Sequence, residues 1–151
     1  MRIEIGSGEY PKDGYTHMDC REGLPHQEVT ASIFDMPFED NSIEEIALSL
    51  VLEHIPTNEV SKALSEIYRV LEVGGIVKIS VPNLIELSQM VLDKSHPFEV
   101  LVIWFYGGQD YPENFHKTGF SPESLTALLV NAGFTINKCV AIDGLHIEAE
   151  K

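Results

Sequence analysis

Apolar residues follow two periods along this chain, and the switches between them mark its elements. Arg2 to Ile5 is a short apolar run that stops at Gly6-Ser7-Gly8. Tyr15 to Asp19 reads as a second strand, and Glu28 to Ser32 as a weaker third. Ile43 to Leu50 contains Ile46-Ala47-Leu48-Ser49-Leu50, which fits a buried strand. Val60, Ala63, Leu64, Ile67, Val70 and Leu71 then recur at spacings of three and four, so they share one helix face. Thr57 or Asn58 is expected to cap that helix, and Gly74-Gly75 to stop it. Ile76 to Val81 follows as a β-branched strand ended by Pro82. Strand, helix and strand with glycine punctuation predict a parallel sheet covered by helices.

The second half changes character. Asn83 to Asp93 is a helix candidate, and Phe98 to Tyr106 is ambiguous between helix and strand. Gly107 to Gly119 is polar and aromatic and reads as a loop. Ser121-Pro122-Glu123 starts a helix that carries Leu125, Leu128 and Leu129 and ends at Asn131-Ala132-Gly133. Phe134 to Ile142 and Leu145 to Glu148 flank Asp143-Gly144, a hairpin signal. An antiparallel pair therefore closes a sheet that began parallel.

At 151 residues, with no repeat or linker, one domain over 1–151 is expected. The 24 acidic residues against 10 basic ones give a net charge of −14, which argues against a nucleic-acid partner and against anionic membrane surfaces. No apolar stretch reaches the ~20 residues of a membrane helix, and no signal-type leader is visible, so a cytoplasmic location is expected. Cys20 and Cys139 form no paired motif and read as reduced thiols. The six histidines show no metal-binding spacing, so no metal is expected.

Candidate chemistry sits at the strand ends. Glu4-Ile5-Gly6-Ser7-Gly8 ends a strand in Gly-x-Gly, where backbone can approach a ligand closely. Pro11 stands where the longer dinucleotide fingerprint has its third glycine, which weakens a nicotinamide or flavin reading. Asp19 closes the second strand, where a carboxylate can accept from ribose hydroxyls or simply form a turn. Asp35-Met36-Pro37-Phe38 follows the third strand and offers an acceptor and a backbone donor to a base.

Together these segments resemble class I S-adenosylmethionine-dependent methyltransferases, joined by Leu52-Glu53-His54-Ile55-Pro56 and by Glu66 to Gly75. The likeness runs from Ile3 to Asn83. The C-terminal third, with Tyr106 to Phe120, resembles a small branch of that family associated with surface-glycan or sugar metabolism. The resemblance implies a Rossmann-like three-layer α/β methyltransferase fold, mostly parallel, with a C-terminal antiparallel hairpin. It implies S-adenosylmethionine as cofactor. Gly6, Ser7 and Gly8 would pass under its methionine part, and Glu4 would orient that loop. Asp19 would hold the ribose, with Cys20 beside the adenine. Asp35 and Met36 would bind adenine by side chain and backbone, and Ser49 and Leu50 would line the methyl group.

Only nine residues, Gly6 to Gly14, separate the first two strands, fewer than the dozen or so a parallel crossover normally needs. The N-terminal helices of the family are thus expected to be missing or reduced, and the site to be open. A homodimer or a protein partner would complete it. His54 and His116 are the candidate proton acceptors, and Tyr10 and Lys12 could also face the acceptor. The function implied is methyl transfer to a small-molecule or sugar-derived acceptor, oxygen slightly preferred over nitrogen. The alternative is a cofactor-binding module of low or no activity that works through a partner.

Overall fold

The computed structural model describes residues Met1–Lys151. Seven strands form one sheet: β1 (Arg2–Ile5), β2 (Thr16–Asp19), β3 (Val29–Thr30), β4 (Ile43–Ser49), β5 (Leu71–Val81), β6 (Thr135–Val140) and β7 (Leu145–Glu150). Their spatial order is β3-β2-β1-β4-β5-β7-β6. The first five run parallel, and β7 lies antiparallel between β5 and β6. Four α-helices accompany them: α1 (Val60–Val70), α2 (Leu84–Asp93), α3 (Phe98–Tyr106) and α4 (Pro122–Asn131). The mostly parallel direction and the closing antiparallel hairpin agree with expectation.

Cross-strand registers sort the side chains into two unlike faces. Ile3, Ile46, Val77 and Ala149 fall in one row, and Ile5, Leu48, Ile79 and Ile147 in the next. These rows join Ala63, Leu64 and Ile67 of α1 and Leu125 and Leu129 of α4 in one buried core cluster. The opposite face carries a row of His17, Glu4, Ala47, Lys78, Glu148 and Lys138. Lys78 pairs with Glu45 at 2.8 Å, and the Tyr15 hydroxyl donates to the same carboxylate. No helix joins β1 to β2, as the short first crossover predicts, and none joins β2 to β3 or β3 to β4.

Three local expectations are corrected. Helix α1 begins after Glu59, not at a Thr57 or Asn58 cap, and no side chain bonds its first turn. It is held by packing, since Val60, Ala63, Leu64, Ile67 and Val70 are all fully buried. Gly74-Gly75 does not stop it: the chain turns extended at Leu71, and β5 runs straight through the pair. The ladder to β4 shifts register there, and a Cβ on Gly75 would lie 3.1 Å from the carbonyls of Ile43 and Glu44. The glycines make a bulge, not a boundary. Phe98 to Tyr106 resolves as helix, bounded by Pro97 and Gly107. Only Leu101 in it is buried; Phe98, Ile103 and Tyr106 are more than half exposed.

Candidate active site

The ends of β1 and β2 build one corner of the site. Gly6 leaves β1 at φ 69°, and a Cβ there would meet Val51 at 2.5 Å. Its N–H donates to the Met18 carbonyl at 2.8 Å, which ties the turn to β2. Glu4, buried, accepts from the Lys12 N–H at 2.7 Å and so holds the far side of the loop. Asp19 is 4% exposed. Its Oδ2 accepts from the Gly8 N–H at 3.1 Å and its Oδ1 from the Arg21 N–H at 3.0 Å, while the Arg21 guanidinium reaches both oxygens. Burial pushes the Asp19 carboxyl up, but these donors outweigh it and hold it below the usual carboxylate value. The guanidinium also stacks over the Tyr111 ring at 4.7 Å. Cys20 is exposed beside this corner.

The ends of β4 and β5 build the other wall. A cavity of about 860 Å³ is lined by Ser49, Leu50, Asn83, Trp104, Tyr111 and His116, among others. Leu50 turns to φ 56° immediately after β4, which exposes its side chain at the rim. The polar segment after α3 folds over this end. Lys117 and Thr118 donate their N–H groups to the Glu53 carbonyl at 2.7 and 3.1 Å, and His116 donates its N–H to Tyr106 at 3.0 Å. His116 is thereby brought to His54, with ring centroids 4.8 Å apart and planes at 73°. Both imidazoles line the cavity. Burial lowers both below the ordinary histidine value, and each favours its neutral form near pH 7. Behind them Glu53 is 1% exposed, and neither carboxylate oxygen has a hydrogen-bond partner. Burial pushes its carboxyl up to about 8.

Residues 13–79 match a family model described as a methyltransferase domain. The whole fold superposes on solved methyltransferases. A Thermotoga maritima protein described as a possible histamine N-methyltransferase gives a TM-score of 0.67 at 16% identity, over 99% of this chain and 81% of that one. Residues 13–79 thus resemble a methyltransferase domain, and the fold around them is shared with solved methyltransferases.

The chain's sequence relatives agree. A probable S-adenosylmethionine-dependent methyltransferase of Mycolicibacterium smegmatis is 27% identical over 129 residues, which are 85% of this chain and 39% of that protein. The chain thus spans well under half the length of that relative. A Burkholderia thailandensis N1-methyltransferase, solved with 1,6-didemethyltoxoflavin and S-adenosylhomocysteine, gives a TM-score of 0.67 at 14% identity, over 99% of this chain and 70% of that one.

S-adenosylmethionine fits this corner at three points. Gly6 presents bare backbone, Ser7 buries an Oγ with no partner, and Asp19 holds an ionised carboxylate at the end of β2. Arg21 would have to release Asp19 for a ribose to bind there.

Met36 requires a correction. Its N–H, expected to read adenine, donates to Glu66 Oε1 at 2.8 Å, and its carbonyl accepts from Arg69 at 3.1 Å. Its side chain is 3% exposed, in the core. Asp35 is exposed, one residue before this anchor. The Ala31 N–H bonds the Asp19 carbonyl at 3.1 Å, next to the end of β3, and Ser32 then bridges Asp35 across a turn. A two-residue strand left no period to show where β3 ends. Tyr10 is 90% exposed, Lys12 sits over the Tyr15 ring at 4.7 Å, and neither lines the cavity. No helix of the structure is long and apolar enough to cross a membrane.

Proposed function

We propose that this domain transfers the methyl group of S-adenosylmethionine to a hydroxyl of a small, sugar-type acceptor. The observation that carries the reading is the cavity of about 860 Å³ that opens beside Ser49 and Leu50 and holds both His54 and His116 on its wall. Its size suits a small molecule, and its lining mixes aromatic, apolar and hydrogen-bonding groups.

The cofactor, when bound, supplies an activated methyl on a sulfonium centre. The chain's own residues bind, orient and exclude water. Glu4 sets the loop through Lys12. Gly6, Ser7 and Gly8 face the methionine part, Asp19 takes the ribose hydroxyls, and exposed Cys20 flanks the adenine. Asp35 is a second adenine contact from the edge of that corner. Ser49 and Leu50 border the path between the methyl and the cavity. A net charge of −14 favours a cationic cofactor through the field of the whole molecule. His54 and His116 stand where an acceptor hydroxyl must lose its proton as it is methylated.

Calorimetry with S-adenosylmethionine, followed by transfer of labelled methyl to a panel of sugar hydroxyls, amines and activated carbons, tests the reading. Saturable binding with label on oxygen is expected. Absence of binding by the folded protein would overturn it, and label on nitrogen or carbon would reassign the acceptor atom.

A further inference from the structure

We propose that Glu53, His54 and His116 form a binding site for one divalent first-row transition-metal cation at the edge of the acceptor cavity. One ligand atom from each of the three lies within 4.8 Å of the others. Two imidazoles and one carboxylate are a set that binds Zn²⁺, Co²⁺ or Fe²⁺ and leaves coordination positions open.

Three observations converge on it. The Glu53 carboxylate is 1% exposed, and both of its oxygens lack any hydrogen-bond partner. Leaving both oxygens of a buried carboxyl group without a hydrogen-bond partner is costly and rare in folded proteins, and a bound ion would supply that partner. The His54 imidazole also carries the support that metal-ligating histidines use, a backbone carbonyl on one side of the ring. His54 Nδ1 lies 3.2 Å from the Phe115 carbonyl, which leaves its other nitrogen free. Finally, the segment that brings His116 is fastened to the residue that carries the carboxylate, because Lys117 and Thr118 both donate to the Glu53 carbonyl.

Metal bonds of about 2.0–2.2 Å require the ligand atoms to close to roughly 3–3.5 Å. The observed 4.8 Å span therefore asks for a contraction of roughly 1.3–1.8 Å at its longest separation. Because His54 and His116 line the cavity, the open positions face the acceptor. There the cation would hold an acceptor oxygen and make its proton easier to lose to solvent water, so that with metal bound the two imidazoles act as ligands and not as the base. That role rests on the methyl-transfer reading, whereas the site itself rests only on the cluster.

The test uses the full chain, stripped with chelator and dialysed. Co²⁺ is titrated by visible absorption and Zn²⁺ by calorimetry. One saturable site is expected, with affinity reduced at least ten-fold in Glu53→Gln and in His116→Gln, and unchanged in His26→Ala. Circular dichroism confirms that each variant is folded, and His116→Gln guards against a core defect in Glu53→Gln. Absence of a one-to-one site, or binding that both substitutions leave intact, would overturn the proposal. S-adenosylmethionine binding is measured on the same stripped protein. Cofactor binding without a metal site would sink this inference alone, and a metal site without cofactor binding would sink the methyl-transfer reading alone.

Discussion

At Asp19 one carboxylate serves two claimants. Arg21 now bonds both oxygens, and a ribose needs the same lone pairs. Opposite effects are therefore expected from two neighbouring substitutions. Asp19→Ala removes the acceptor and should weaken S-adenosylmethionine binding by about 1.5–3 kcal/mol, the range for a hydrogen bond to a charged group. Arg21→Ala removes the competitor and should tighten it. Calorimetry reads both signs, and a weaker Arg21→Ala complex would make Arg21 a cofactor contact instead. Asp19 and the Gly6-Ser7-Gly8 turn were legible in the sequence because strand ends and glycines announce themselves locally. The meeting of His54, Glu53 and His116 was not. It depends on a loop folding back across the sheet, and no spacing along the chain encodes that return. The Met36 amide was misread for a related reason: its partners, Glu66 and Arg69, come from another element.

At the scale of elements, the periodic helices were legible and their ends were not. Helix α1 shows its buried stripe plainly, and packing rather than a cap fixes where it starts. Helix α4 is the reverse case, since Ser121-Pro122 was readable as its start and the structure has a full capping box between Ser121 and Ser124. Ser121→Ala should cost about 1 kcal/mol in urea unfolding. The glycine pair in β5 is where local reading failed, because Gly-Gly after an apolar helix looks like a stop signal. What it answers to is the neighbouring strand. A Cβ on Gly75 would lie 2.9 Å from its own strand's Glu72 carbonyl as well as against β4. Gly75→Ala should therefore destabilise the fold by about 1–3 kcal/mol, through strain in a packed ladder. A lowered urea midpoint with an unchanged slope is the expected record, and an unchanged midpoint would mean that the bulge relaxes freely.

At the scale of the molecule, no helix stands between β1 and β4 in the chain, and one face of the sheet there is lined by charged and aromatic residues. Ordinarily an uncovered sheet face would be apolar and would invite association. Here it alternates charge across strands, with Lys78 between Glu45 and the Glu148 row, and with Arg2 and Lys12 both over the Tyr15 ring. Such a face is covered by its own charged and aromatic side chains, among which Glu4 and Tyr15 are buried. The centre of the network is the Tyr15 hydroxyl, which donates to Glu45. Burial and that bond push Tyr15 up from 10.0 to about 12. A raised folded value means that the contribution is complete below the unfolded value and lost as pH rises through the folded one. The window is therefore from about pH 10 to about pH 12. Two pKa units correspond to an upper bound near 2.7 kcal/mol, so a contribution of about 2 kcal/mol is expected. Tyr15→Phe keeps the ring under Arg2 and Lys12 but has no proton to lose. In urea unfolding the natural chain should be more stable than Tyr15→Phe near neutral pH, and the gap should shrink across that window. Lysines and the other tyrosines titrate in both proteins and cancel in the difference. A gap that stays constant through pH 12 would mean that the Tyr15–Glu45 bond does not hold this face together.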